Sequence, residues 1–133
     1  MAANSAQTID ALVRSLHEGR LHRIPRNPAR RSIVLGVIAS HFERRYPYSE
    51  PELNALLKET LTRCAADVDH VTCRRYLVDL GFVKRDRAGN RYFLNFPTLE
   101  NTLDEAARQE ATALVEQALA QGRERSRQRR TAL

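Results

Sequence analysis

Apolar residues recur at helical spacing from the start of the chain. Ile9, Leu12, Val13 and Leu16 fall at i, i+3, i+4 and i+7, which predicts a helix over 5–18 with Gly19 at its end. The next stretch, RLHRIPRNPARR, loses that rhythm. Pro25 and Pro28 argue against a helix there, so 20–31 reads as a basic arm or linker. Helical spacing returns over 32–45 with Ile33, Val34, Val37, Ile38 and Phe42, and Ser32 is a candidate N-cap. Gly36 inside that run points to close packing against another backbone.

A stronger start signal follows. Ser49 and Glu52 have the spacing of a capping box, and Pro51 sits in the first turn, where proline is tolerated. A helix over 50–63 would bury Leu53, Leu56, Leu57 and Leu61. The linker CAAD leads to a further helix over 68–80, started by Asp67 or Asp69 and stopped by Gly81. FVKRD and RYFLNF then alternate like strands around RAGN, whose Gly89 and Asn90 suit a tight turn. Pro97 ends the hairpin. Thr98 is a candidate cap for a long last helix over 99–121, with Leu103, Ala107, Ala111, Leu114 and Ala118 as its apolar stripe.

Helix, helix, helix, hairpin is the order of a winged helix-turn-helix. The predicted fold is therefore mainly α with a small β-hairpin, an α+β arrangement. Its core is a winged-helix domain at 32–97. An N-terminal helix and basic arm at 1–31 and a C-terminal amphipathic helix and basic tail at 98–133 flank it. The apolar stripes of the first and last helices both need a partner surface. They pack on each other or across a homodimer interface.

Charge adds a second layer. The 133-residue chain has a net charge of +6, which points to an anionic partner. Arginine supplies nearly all of the cations, a bias that genome composition alone can also produce. The distribution says more than the total. Positive charge gathers in three blocks, 20–31, 74–91 and 122–133, and acids dominate 92–121. The last block, RERSRQRRTAL, reads as a disordered tail.

Other classes find little support. SIVLGVIAS is too short to span a bilayer, so no membrane association is expected. MAANSAQTID lacks a basic segment followed by an apolar one, so no secretory signal is expected. Two cysteines do not make a disulfide framework, and a cytoplasmic protein with reduced thiols is the expectation. Cys64, His70 and Cys73 are the one metal-like group, but their spacing matches no established zinc pattern. No phosphate-cradling glycine loop or nucleophile motif stands out. The expectation is a non-catalytic protein without cofactor or metal.

YSEPELNALL at 48–57 and DHVTCRRYLVDLGFVKRD at 69–86 resemble an uncharacterised bacterial domain-of-unknown-function family. Its pattern runs Y-S-E-x-E-x-N-x-x-L, then D-x-x-T-L-R-R-x-L-V-D, then a glycine, two hydrophobic residues, x-R-D, and an aromatic after a later glycine. The likeness covers roughly 22–96. Cys73 departs from the pattern, which prefers leucine there, and reads as a small core residue. The resemblance implies a winged-helix-like fold of the kind often attached to helix-turn-helix regulators, and hence transcription regulation. No separate regulator domain is evident beside it in this chain.

Candidate contacts to duplex DNA follow from the charge blocks and the helix order. On a wheel, Cys73, Tyr76, Leu77 and Leu80 share one face of the third core helix, and Val68, Val71, Arg75 and Val78 the opposite one. If the first face is core, Arg75 points outward beside Val71 and Thr72. Arginine can fork onto guanine or phosphate, and valine can touch a thymine methyl. If the valine face is core, Arg75 is the internal ion-pair member. Arg74 lies between the faces, as a further candidate contact or as a partner of Glu50, Glu52 or Asp79. Lys84, Arg85, Arg87 and Arg91 surround the wing turn, where they suit phosphate contacts or simply deter strand pairing. Arg26, Arg30 and Arg31 of the arm suit a minor groove. Asp67 and Asp69 oppose this reading, because acids at the leading end of a recognition helix repel phosphate. A protein-interaction module and an RNA-binding protein are the alternatives.

Overall fold

A computed structural model describes residues 1–132. The order is α1 (Ser5–Ser15), α2 (Pro28–Ala39), α3 (Glu50–Arg63), α4 (His70–Asp79), β1 (Val83–Arg85), β2 (Tyr92–Leu94), α5 (Phe96–Thr102), α6 (Glu105–Gln109) and α7 (Ala111–Thr131). Helices joined to one small antiparallel hairpin make an α+β fold with a winged-helix-like layout, in which α2, α3 and α4 are the three core helices and β1–β2 the wing. No helix among the described residues is long and apolar enough to cross a membrane.

Local signals set most of the helix starts. Asn4 begins α1 with a capping box, accepting from the Gln7 N–H at 2.8 Å while the Gln7 side chain accepts from the Asn4 N–H. Ser49 and Glu52 form the expected box at α3, with bonds of 3.2 and 2.9 Å. At α4 the cap is Asp69, whose carboxylate accepts from the Val71 N–H. Gly81 and Gly89 take φ of +83° and +73°, just past α4 and in the hairpin turn.

The start of α2 differs from expectation. It begins at Pro28, capped by Asn27, rather than at Ser32. A proline at the first helical position forgoes an N–H that has no intrahelical partner anyway, so Pro28 opens this helix. Arg30 and Arg31 are thus helical residues and not part of an arm. The stretch before them is also pinned. Leu21 and Ile24 are buried, and Leu21 exchanges backbone hydrogen bonds with Ala65 and Asp67 at 3.1 and 2.9 Å. At its other end α2 stops at Ala39, short of the expected 45.

The sheet has a third contributor. Tyr48, in the loop before α3, pairs antiparallel with Tyr92 through two 2.9 Å backbone bonds. This one-residue strand fastens the α2–α3 connection to the wing. In the hairpin, Val83 faces Leu94, Lys84 faces Phe93 and Arg85 faces Tyr92.

The expected single last helix is three. Leu103 adopts an extended conformation, and Ala3 bonds to the backbone on either side of it, from its N–H to Thr102 and from the Asp104 N–H to its carbonyl. Asp104 then caps α6. Thr98 lies inside α5 instead of capping it. The stripe survives these breaks, for Leu103, Ala107, Ala111, Leu114 and Ala118 are all buried. α7 also runs on to Thr131, so RERSRQRRT is helix and not a disordered tail. Gly122 and Ser126 continue the buried seam at i+4 steps past Ala118.

The stripes of α1 and α7 face each other within the chain. Leu12 of α1 and Leu16 just past its end, Val34, Val37 and Ile38 of α2 and Val115 of α7 meet around an apolar void of about 20 Å³. Gly36 explains how α2 fits beneath α5. A Cβ there would stand 3.1 Å from the Thr102 methyl and 3.3 Å from Leu103 Cγ, so the close neighbours are side chains at the end of α5.

Candidate nucleic-acid interface

α4 settles which of its faces is core. Cys73 and Leu77 are fully buried and Tyr76 is half-buried, whereas Val71 and Arg75 are exposed and Val78 is half-buried. Leu80 departs from the expected core set. It is the C-cap residue, leaves the helical path and is 37% exposed, and Phe82 fills the core behind it.

The paired arginines are separated by these faces. Arg74 Nη1 lies 3.0 Å from Glu50 Oε1 and 3.0 Å from Asn54 Oδ1. It ties α4 to the first turn of α3, where Glu50 also suits the positive end of the helix dipole. Its guanidinium is therefore engaged in an internal contact, while Arg74 also lines the groove beside α4. Arg75 is exposed and forms no ion pair or side-chain hydrogen bond among the described residues. The two sequence motifs consequently touch. Tyr48 pairs with the wing, Ser49 and Glu52 cap α3, and Glu50 and Asn54 hold Arg74.

A groove of about 320 Å³ runs between α4 and the wing. Val71, Arg75 and Val78 form its α4 side, Arg85 and Tyr92 its wing side, and Glu50 and Arg74 close one part of it. Arg85 leans on its own hairpin, with its guanidinium carbon 5.4 Å from the Tyr92 ring centre and Nη2 3.4 Å from the Gly89 carbonyl. Lys84 and Arg87 are exposed and without partners among the described residues. Arg91 donates only to the neighbouring Asn90 carbonyl. The wing thus presents four cations to solvent, and Arg85 is the one that lines the groove with Arg75.

Thr72 is exposed on the first turn of α4, with its hydroxyl 3.4 Å from Asp69. Arg26, Arg30 and Arg31 do not line the groove. Arg26 is exposed at the entry to α2, and Arg30 and Arg31 are half-buried on the first turn of that helix. The two acids before α4 also part company. Asp69 caps the helix. Asp67 pairs with Arg20 and His22, and the hydrogen bond from Arg20 holds its carboxyl below the usual carboxylate range. Asp67 is thereby balanced by Arg20 as Glu50 is by Arg74, and Asp69 and Asp79 are the acids left near α4.

No group of three or more His, Cys, Asp and Glu among the described residues stands close enough to hold a metal ion. Cys64 and Cys73 are buried in the core. Burial pushes the Cys64 thiol up to about 11 and the Cys73 thiol up to about 12, because a thiolate is poorly solvated there. The thiolate is the reacting form. Both cysteines are therefore expected to resist iodoacetamide at neutral pH in the folded protein and to react once it is unfolded, as mass spectrometry of the alkylated chain would show. Labelling of either thiol under native conditions, at the rate seen in denaturant, would contradict that burial.

The layout defines the class, a winged-helix-like domain with a cationic wing. Residues 20–94 match the family DUF2087, described as uncharacterized protein conserved in bacteria, and the chain belongs to that family. No curated protein and no solved structure matches the chain.

The missed features share a cause. The Tyr48–Tyr92 pairing and the Ala3–Leu103 pairing are each one residue wide, too short for any periodic signal. Asn54 carried a sign in the quoted motif, but its role becomes visible only when Arg74 is brought against it.

Proposed function

We propose that this protein binds duplex DNA in the manner of a transcriptional regulator, without catalysis, in the cytoplasm. Arg75 is the base- or phosphate-contacting residue of α4, and Lys84, Arg85, Arg87 and Arg91 of the wing hold the phosphate backbone. The observation that carries this reading is Arg75, exposed on the outward face of α4 and sharing a groove with Arg85 of a wing whose Lys84, Arg87 and Arg91 are also exposed. Exposed Val71 next to it supplies an apolar contact of the size of a thymine methyl. Arg26 is a peripheral contact.

Fluorescence anisotropy with duplex DNA over a salt series tests the reading. Affinity is expected to fall steeply and linearly on logarithmic axes, because neutralised phosphates release counterions. Replacing Lys84 and Arg87 together with alanine should make the slope shallower by about 1.8, at roughly 0.9 per lost phosphate contact. Absence of salt-sensitive binding at low ionic strength would overturn the proposal. Preference for single-stranded or duplex RNA in the same assay would redirect it to RNA.

A second reading is a non-catalytic protein-interaction module. It is favoured by the carboxylates of Asp69 and Asp79 around α4 and by exposed Val71 and Leu80. The seam between α1 and α7 is used within the chain, so a homodimer would need another surface.

A further inference from the structure

A second concentration of positive charge lies apart from the α4 groove and shares no lining residue with it. It is a pocket of about 250 Å³ where the end of α1, the turn at Gly19, the first turn of α2 and the C-terminal half of α7 meet. We propose that this pocket binds a small phosphate-bearing molecule, of a size that places two linked phosphates, or a phosphate and a second anionic group, among Arg14, Arg30, Arg125 and Arg129.

The charge there is unbalanced. Four arginines from three helices line the pocket, against one acid, Glu18. Glu18 is itself 3.8 Å from Arg130, and Arg14 has Asp10 at 2.9 Å. Arg30 and Arg125 form no ion pair among the described residues. Arg30 is the third residue of α2, at the positive end of the helix dipole, where a cation is disfavoured. Arg125 and Arg129 are four apart on α7, so like charges stack on adjacent turns. Arg14 and Arg129 sit in the last turns of α1 and α7, where the dipole favours a cation, but Arg30 at a helix start and the stacked Arg125 and Arg129 are placements that a bound anion would relieve. Guanidinium groups also match phosphate oxygens in a bidentate geometry.

The pocket is built rather than incidental. Ser126 is 6% exposed, lines the site and makes no side-chain hydrogen bond among the described residues, leaving its hydroxyl as a donor. Two glycines set the approach of α7 to α1. A Cβ on Gly122 would stand 2.7 Å from Leu16 Cδ1, and Gly19, at φ +72°, lies against Arg123. The site is a recess between helices, which suits a compact ligand better than a polymer.

Inorganic pyrophosphate is the probe. Calorimetric titration of the full chain at constant ionic strength should give saturable one-site binding, and pyrophosphate should raise the melting temperature relative to chloride. Arg125→Gln removes an exposed charge and should weaken the binding at least tenfold, as should Arg30→Gln. The wing variant Arg87→Gln should leave it unchanged. Equal binding by wild type and both pocket variants, or no binding at millimolar pyrophosphate, overturns the proposal. So does an Arg125→Gln protein that keeps pyrophosphate affinity and loses duplex DNA, which would make this face part of a nucleic-acid surface. The result is independent of whether the α4 groove binds DNA.

Discussion

Replacing Leu77 with alanine lowers the unfolding free energy by about 2–5 kcal/mol, the range for opening a cavity at a fully buried leucine. Leu77 has no exposed surface, and it shares the core cluster with Leu53, Leu57, Cys73 and Phe82. Its carbonyl also accepts the 2.8 Å bond from the Phe82 N–H that turns the chain from α4 into the wing. The backbone bond survives the substitution, but the packing that seats α4 on α3 does not. Against a total stability of about 5–15 kcal/mol, a loss of that size is a large fraction. Urea denaturation reads it as a midpoint lowered by roughly 1–3 M with little change in slope. A loss below about 1 kcal/mol, the scale of a tolerant site, would mean that α4 does not rest on this leucine.

Arg75→Ala should weaken duplex binding by about 1–3 kcal/mol, or roughly 5- to 150-fold, the value of one good arginine contact to a base. Its melting temperature should match the wild type, since exposed positions without partners usually change stability by less than about 0.5 kcal/mol. Arg74→Ala should behave in the opposite sense. It cuts the contacts to Glu50 and Asn54, leaves their oxygens to solvent and costs about 1 kcal/mol, the scale of a partly exposed pair. Its effect on DNA should be smaller and follow from looser seating of α4. Equal destabilisation by both variants, with equal loss of binding, would show that the neighbours do not divide the work in this way.

The sequence carried the features that local chemistry decides. Ser49 and Glu52 identified the start of α3, because a capping box closes within four residues. The helical wheel put Arg74 and Arg75 at different positions around α4 but left two faces open as core, and the burial of Cys73 and Leu77 decides between them. What stayed hidden depended on distant partners or on small residues. Pro28 looked like a breaker until Asn27 capped the helix it begins. The last helix looked continuous until Ala3 supplied bonds on both sides of Leu103. Its length was underestimated because Gly122 and Ser126 bury backbone and small side chains, which an apolar pattern does not register. In the site, the wing cations were legible as a charge block. The isolation of Arg30 and Arg31 from them was not, since linear proximity to a basic stretch says nothing about which helix face the residues occupy.

The residues shared with the family end at Leu94, yet α2 inside that stretch is roofed by elements outside it. Val34, Val37 and Ile38 meet α1 and α7, and Gly36 receives the end of α5. A polypeptide cut to 20–94 would lay that oily ridge open to water and to its own copies. In this chain the 20–94 stretch is therefore a socket, and the helices that flank it are the plug.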